Sequence, residues 1–174
     1  MAVEVRRVRA EDWQRVRAMR LEALQDEVAS IAFVESHARA LVEPDSFWQE
    51  RTTGASAGDR IAQFVAIDGD DWVASAVGVR EQAGAVDWSG RPVKQDQVHV
   101  VGVWVRPDRR GAGLLGRLVD EIAVWAAGQG IERLRLLVHE DNARARAAYG
   151  KLGFVATGVV VVLEAGNELE MRRP

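Results

Sequence analysis

The residues able to do chemistry in this chain are few: a cluster of glycines at 111–116, one tyrosine, three histidines and several carboxylates, with no cysteine at all. Gly111-Ala112-Gly113-Leu114-Leu115-Gly116 follows an apolar run at 98–105 and a charged turn holding Pro107. It precedes a segment in which Leu114, Leu118, Ile122 and Trp125 share one helical stripe. A strand, a glycine bend and a helix start in that order bring backbone N–H groups together, and the helix dipole adds roughly half a positive charge. That is a phosphate cradle. Tyr149 is a phenol of reference pKa about 10, protonated at neutral pH and able to donate. The absence of cysteine excludes a thiol nucleophile, a thiolate metal site and a disulfide scaffold. His37, His99 and His139 lack metal-ligand spacing, so no metal is expected.

The glycines alone admit several ligands. They match G-x-G-x-x-G, the dinucleotide fingerprint, although Arg106 to Arg110 intervene between strand and first glycine, and too little chain follows for several further βα units. They also have P-loop spacing, but Arg117-Leu118 stands where Lys and Ser/Thr must reach phosphate and Mg²⁺. A glycine-rich helix start with no ligand is the remaining reading.

The elements that must position these residues follow from periodicity. Residues 3–8 alternate as a strand, and Glu11-Asp12 opens a helix through Trp13, Val16, Arg20 and Leu24. Periodicity weakens over 28–57, where Pro44-Asp45-Ser46 starts a short helix through Phe47, Trp48 and Arg51. Runs 61–67 and 72–79 flank Asp68-Gly69-Asp70-Asp71 as a hairpin, and 82–96 is a polar loop. After the strand at 98–105 and the helix from Gly111 to about Gly128 come a strand at 131–138 and a helix over 143–151 capped by Asn142. A hairpin of 157–163 and 168–172 ends the chain. One mixed α/β sheet in a single domain, 1–174, is expected.

Two linked blocks carry a resemblance. Val103-Trp104-Val105-Arg106-Pro107-Asp108-Arg109-Arg110-Gly111-Ala112-Gly113 is followed about thirty residues later by Asn142 and Tyr149-Gly-Lys-Leu-Gly153-Phe154. Together they resemble the GNAT family of N-acetyltransferases. The resemblance implies an α/β (α+β) fold: one mixed, mostly antiparallel central sheet of about seven strands, flanked by about four helices, with a splayed central strand pair. It implies acetyl-CoA as co-substrate, its pyrophosphate on the amides of Gly111, Ala112, Gly113, Leu115 and Gly116 with Arg110 adding charge. Its pantetheine arm would pair like an extra strand with Val103, Trp104 and Val105. In place of the family's last small residue stands Leu115, with Gly116 one position later.

The same resemblance gives Asn142 a hydrogen bond to the cofactor arm and makes Tyr149 the general acid to the departing thiolate. For the base, His99 lies four residues before Val103, on the same face by the period-2 rule, where some histone-modifying relatives keep a glutamate; Glu81 is its rival. Gly102 marks a bulge or a small residue under a helix. The acceptor would be a small-molecule amine or a peptide, met near Arg20, Phe33, Glu35, Trp48 and Asp87, and a homodimer is common among relatives. A non-catalytic acyl-CoA-binding or regulatory module on the same fold is the second reading, and a dinucleotide-binding protein a remote third.

Composition fits this. The 174 residues, 48% hydrophobic and 28% charged, suffice to bury about 70% of the unfolded surface. A formal charge of -3, with acids interleaved among the arginines, argues against a nucleic-acid partner. No apolar run approaches the roughly 18 residues of a membrane span, and residues 1–7 carry no leader pattern, so a cytoplasmic protein is expected.

Overall fold

The computed structural model describes residues 2–174. Its elements are β1 (Glu4–Arg7), α1 (Trp13–Ala23), α2 (Ala29–Ala32), α3 (His37–Leu41), α4 (Asp45–Ser56), β2 (Ile61–Asp68), β3 (Asp71–Glu81), β4 (Gln97–Val105), α5 (Leu114–Ala127), β5 (Leu134–His139), α6 (Ala143–Lys151), β6 (Val155–Leu163) and β7 (Gly166–Arg173). The strands form one sheet in the order β1-β2-β3-β4-β5-β7-β6. Every pairing is antiparallel except β4 with β5.

The expected mixed, mostly antiparallel sheet of seven strands is therefore present. Six α-helices stand where about four were expected, because α2 and α3 are single turns too short to show a helical period. The chain meets the expected boundaries closely at the hairpin between β2 and β3 and at α6. β6 begins two residues early, at Val155, and is irregular between Ala156 and Val160.

Two cores lie on the two faces of the sheet. On one, Ala62, Phe64, Ala74, Ala76, Val98 and Val100 meet Leu118, Val119 and Ile122 of α5. Small side chains from β2 and β3 let the helix settle close. At Gly78 a Cβ would stand 3.0 Å from Ile122 and 3.1 Å from Trp125, which explains glycine there. On the other face Val16, Met19 and Ala23 of α1 and Ala55 of α4 cover Val65 and Trp104. Each large apolar side chain so enclosed contributes about 1.5–3 kcal/mol relative to exposure. No helix among the described residues is long and apolar enough to cross a membrane.

Candidate active site

β4 and β5 pair only through Val98 with Leu134 and His99 with Arg135, and beyond those pairs they part. The main chain of 100–105 thus has β3 on one side and no strand on the other. Gly102 sits at the parting with φ +58°. The register with β3 slips there, from Val77 opposite Val101 to Ser75 opposite Trp104, so β4 carries one extra residue. A side chain at that φ would cost about 1–2 kcal/mol, which explains glycine and settles it as a bulge.

The bulge reverses the alternation of side chains along β4. Val98 and Val100 lie in the α5 core, and so do Val103 and Val105, while Trp104 lies in the α1 core. His99 therefore stands on the face opposite Val103. The shared face expected from an even spacing is corrected, because period-2 counting holds only along an unbulged strand.

An open groove of about 550 Å³ runs through the parting, within the roughly 300–1,000 Å³ typical of small-molecule sites. Its lining brings together Val103, Trp104, Val105, Arg110, Gly111, Gly113, Leu115, Gly116, Asn142 and Tyr149. Of the residues expected at the site, Ala112 and His99 do not line it. Val28, Ile31 and Phe33, around α2, form part of the wall.

At the groove's mouth Gly113 caps α5 in the left-handed conformation, φ +77°. The amides of Gly111, Ala112 and Gly113 donate to no protein acceptor among the described residues, and the first turn of a helix always leaves its amides unpaired. The loop is therefore a set of free donors at a helix N-terminus, which fits a pyrophosphate. Leu115 turns its side chain against the α5 core, so it occupies the cradle without blocking it. Gly116 is small for packing, since a Cβ there would stand 3.2 Å from Leu152 of α6.

Arg110 is already committed. Its Nε donates to the Val105 carbonyl at 3.0 Å and its guanidinium pairs with Asp26, whose carboxylate also accepts from the Trp104 indole at 3.2 Å. Burial alone would raise the Asp26 pKa, but the Val28 amide, Trp104 and Arg110 together hold it below the usual carboxylate range. Arg110 thus ties the segment before α2 to the end of β4. Arg144 and Lys151, both on α6, line the groove with no salt bridge among the described residues. They are the free cations that sequence reading missed; a helix face gives no sign of which way it looks until its partner is known.

Tyr149 is 8% exposed and meets Phe154 edge-on, ring centroids 5.9 Å apart. Burial pushes its pKa well up, so the phenol stays protonated across the working range. Asn142 caps α6 by accepting from the Ala145 amide at 3.2 Å. Its Nδ2 makes no protein hydrogen bond among the described residues, so capping and ligand binding are compatible. Nearby, His139 accepts from the Asp141 amide at Nδ1 and donates from Nε2 to the Ala165 carbonyl at 3.0 Å, which fixes one neutral tautomer.

The two candidate bases form one unit. His99 Nδ1 lies 3.2 Å from Glu81 Oε1, and Gln97 donates to Glu81 at 2.7 Å. Arg135, 2% exposed, pairs with Glu81 and Asp87 at 2.9 Å each and with Glu170 at 3.3 Å. Burial would raise the Glu81 pKa, yet His99, Arg135 and Gln97 lower it. For Asp87 the Arg91 amide, Ser89 and Arg135 overcome burial and hold the pKa at about 2. Asp87 and fully buried Trp48 therefore serve the scaffold rather than a surface for the acceptor.

Comparison with known proteins agrees with the geometry. The acetyltransferase (GNAT) family model matches residues 13–154. By sequence the chain matches no curated protein. Among solved structures, a GNAT acetyltransferase from Streptococcus pneumoniae superposes with a TM-score of 0.78 at 15% identity, covering 99% of this chain and 98% of that one. A phosphinothricin acetyltransferase from Sinorhizobium meliloti, solved with acetyl-CoA, gives 0.73 at 17% identity over 100% and 89%. The PaiA N-acetyltransferase of Thermoplasma acidophilum, solved with coenzyme A, gives 0.70 at 15% identity over 99% of both chains.

Proposed function

The chain belongs to the acetyltransferase (GNAT) family, and from that premise we propose that it is a single-domain N-acetyltransferase moving an acetyl group from acetyl-CoA directly to an amine. The observation that carries this reading is the parting of β4 and β5 at the Gly102 bulge, with unpaired loop amides at its mouth. The pyrophosphate fits the amides of Gly111, Ala112, Gly113, Leu115 and Gly116. The pantetheine arm fits the open main chain of Val103 to Val105, added as a strand would be.

In the transfer the acceptor nitrogen bonds to the thioester carbon and the carbon–sulfur bond breaks. Tyr149 donates its phenolic proton to the sulfur as that bond breaks, and recovers a proton from solvent. A main-chain amide of β4 polarises the carbonyl oxygen. The proton lost by the nitrogen is assigned to the His99–Glu81 pair. His99 stands at the last paired residue before the strands part, outside the groove lining, so water would carry the proton to it.

The acceptor is a small-molecule amine or a peptide; the net charge of -3 supports neither a nucleic acid nor an anionic membrane. A second copy of the chain is a further partner, since the outer strand β6 exposes Val155, Val160 and Val162; light scattering of the purified protein tests this. We further propose the cytoplasm as its compartment, as expected from the sequence.

The test is acetyl transfer to an amine panel, run beside melting with acetyl-CoA, NAD and ATP. Acetyl-CoA at 100 times its dissociation constant stabilises by about 2.7 kcal/mol, and at least one amine is acetylated. Binding without transfer to any amine would favour an acyl-CoA-binding module, the reading that the sequestered His99 supports. Stabilisation by NAD alone would overturn both.

A further inference from the structure

Behind Gly102, on the α1 face of the sheet, lies a second and smaller cavity of about 20 Å³. A water needs roughly 10–15 Å³ by such a measure, so this space takes only the oxygen end of a small polar group, the rest of which stays outside it. It is lined by Arg20, Arg51, Gln63, Ser75, Gly102 and Trp104, among others. Gly102 and Trp104 line the large groove as well. The two spaces therefore both border the bulge, one on each side of the β4 main chain assigned to the thioester.

The charges here do not cancel. Arg20 pairs with Glu35 at 2.9 Å and stacks on Phe33 at 4.4 Å. Arg51 stacks on Phe47 and Trp48, 6.0 and 5.8 Å from their ring centroids, and has no salt bridge or hydrogen bond among the described residues. Arg51 as a residue is exposed, but its guanidinium is crowded: desolvation, then the neighbouring Arg20, lowers its pKa, while Glu35 opposes them. One cation is left over, held by aromatic rings at the mouth of a space too small for a sugar or a peptide side chain. Gln63 donates to Ser75 Oγ at 3.0 Å, which leaves the serine hydroxyl proton to give. The Arg51 guanidinium and the Ser75 proton together suit a compact anion.

We propose that the acceptor is a small amine bearing a carboxylate, held by Arg51 with Ser75 donating a second hydrogen bond, so that its nitrogen faces the groove across Gly102. The guanidinium fork suits two carboxylate oxygens in one plane. This rests on the N-acetyltransferase reading above and names the acceptor class for the same site.

The experiment compares amines that differ only in the anion: methionine with methioninamide, β-alanine with β-alaninamide, and 4-aminobutyrate with its amide, with spermidine as a polycationic control. The wild-type protein is expected to acetylate at least one carboxylate about 10- to 100-fold better in kcat/KM than its amide. Arg51→Gln is expected to erase that ratio mainly through KM, with acetyl-CoA affinity unchanged; Arg51→Lys keeps part of it. Equal or better use of the amides or of spermidine, or an Arg51→Gln ratio like wild type, overturns the proposal. Tryptophan fluorescence titration with the same compounds decides independently of turnover, since Trp104 lines the cavity and Trp48 carries Arg51. If no amine is acetylated, the transferase reading fails; carboxylate-dependent quenching lost in Arg51→Gln still supports the carboxylate site, and no difference in quenching refutes it.

Discussion

Replacing Tyr149 by Phe removes one oxygen from a buried ring and nothing else. The hydroxyl makes no protein hydrogen bond among the described residues, and the edge-on contact with Phe154 at 5.9 Å belongs to the ring, which phenylalanine keeps. The loss of folding stability should therefore stay below about 1 kcal/mol, since no hydrogen bond is broken. Acetyl-CoA affinity should hold for the same reason. Turnover is different. A thiolate leaving without a proton donor forfeits general acid catalysis, about 10²- to 10⁴-fold in kcat, or about 3–5 kcal/mol of barrier. Burial raises the phenol's pKa, so the wild-type rate should show no alkaline fall due to Tyr149 below about pH 10. Stopped-time assay of thiol release, with calorimetric titration of acetyl-CoA on the same preparation, separates the two effects. A variant with unchanged kcat on an accepted amine would remove Tyr149 from the mechanism. One with unchanged kcat and weakened acetyl-CoA binding would make it a packing residue.

Four further changes test other parts of the account. His99→Gln should lower kcat/KM on an accepted amine by about 10²- to 10⁴-fold; an unaltered value shows that the proton goes elsewhere. Asp87, held at about pKa 2, is a depressed carboxylate, so its contribution is full above about pH 4 and is lost as pH falls towards 2. With partial solvent screening it amounts to roughly 1–2 kcal/mol, and Asp87→Asn should flatten the decline of melting temperature over that window. Gly102→Ala should cost about 1–2 kcal/mol in chemical denaturation and weaken acetyl-CoA as the bulge is lost. Arg144→Ala with Lys151→Ala should weaken acetyl-CoA about 10- to 100-fold, with a shallower dependence on salt, whereas folding stability stays put because neither side chain has an ion-pair partner among the described residues.

What was legible in the sequence was local. The strand at 98–105, the glycine bend, and the helix after it lie within thirty residues, and the Asn142 to Phe154 block repeats the same grammar of cap, helix and glycine stop. Alternation located β2 and β3 because Asp68-Gly69 makes a tight turn that keeps the register. The misplacement of His99 has a physical cause: an extra residue at Gly102 turns an even spacing into an odd one, and glycine alone does not say whether it bulges or merely makes room. The pairing of Arg110 with Asp26 spans 84 positions, beyond any local pattern. Arg51 reads in sequence as one more surface arginine on α4. Its surplus charge emerges only when Arg20 is seen to be spoken for by Glu35.

In the proposed complex acetyl-CoA lies along β4 at the parting from β5, with its pyrophosphate on the start of α5. Hydrogen exchange of the full chain with and without acetyl-CoA reads those amides directly. Exchange should slow in peptides covering 102–105 and 111–116, an effect reproduced by coenzyme A and not by NAD. Protection confined to other segments, or equal protection by NAD, would contradict it.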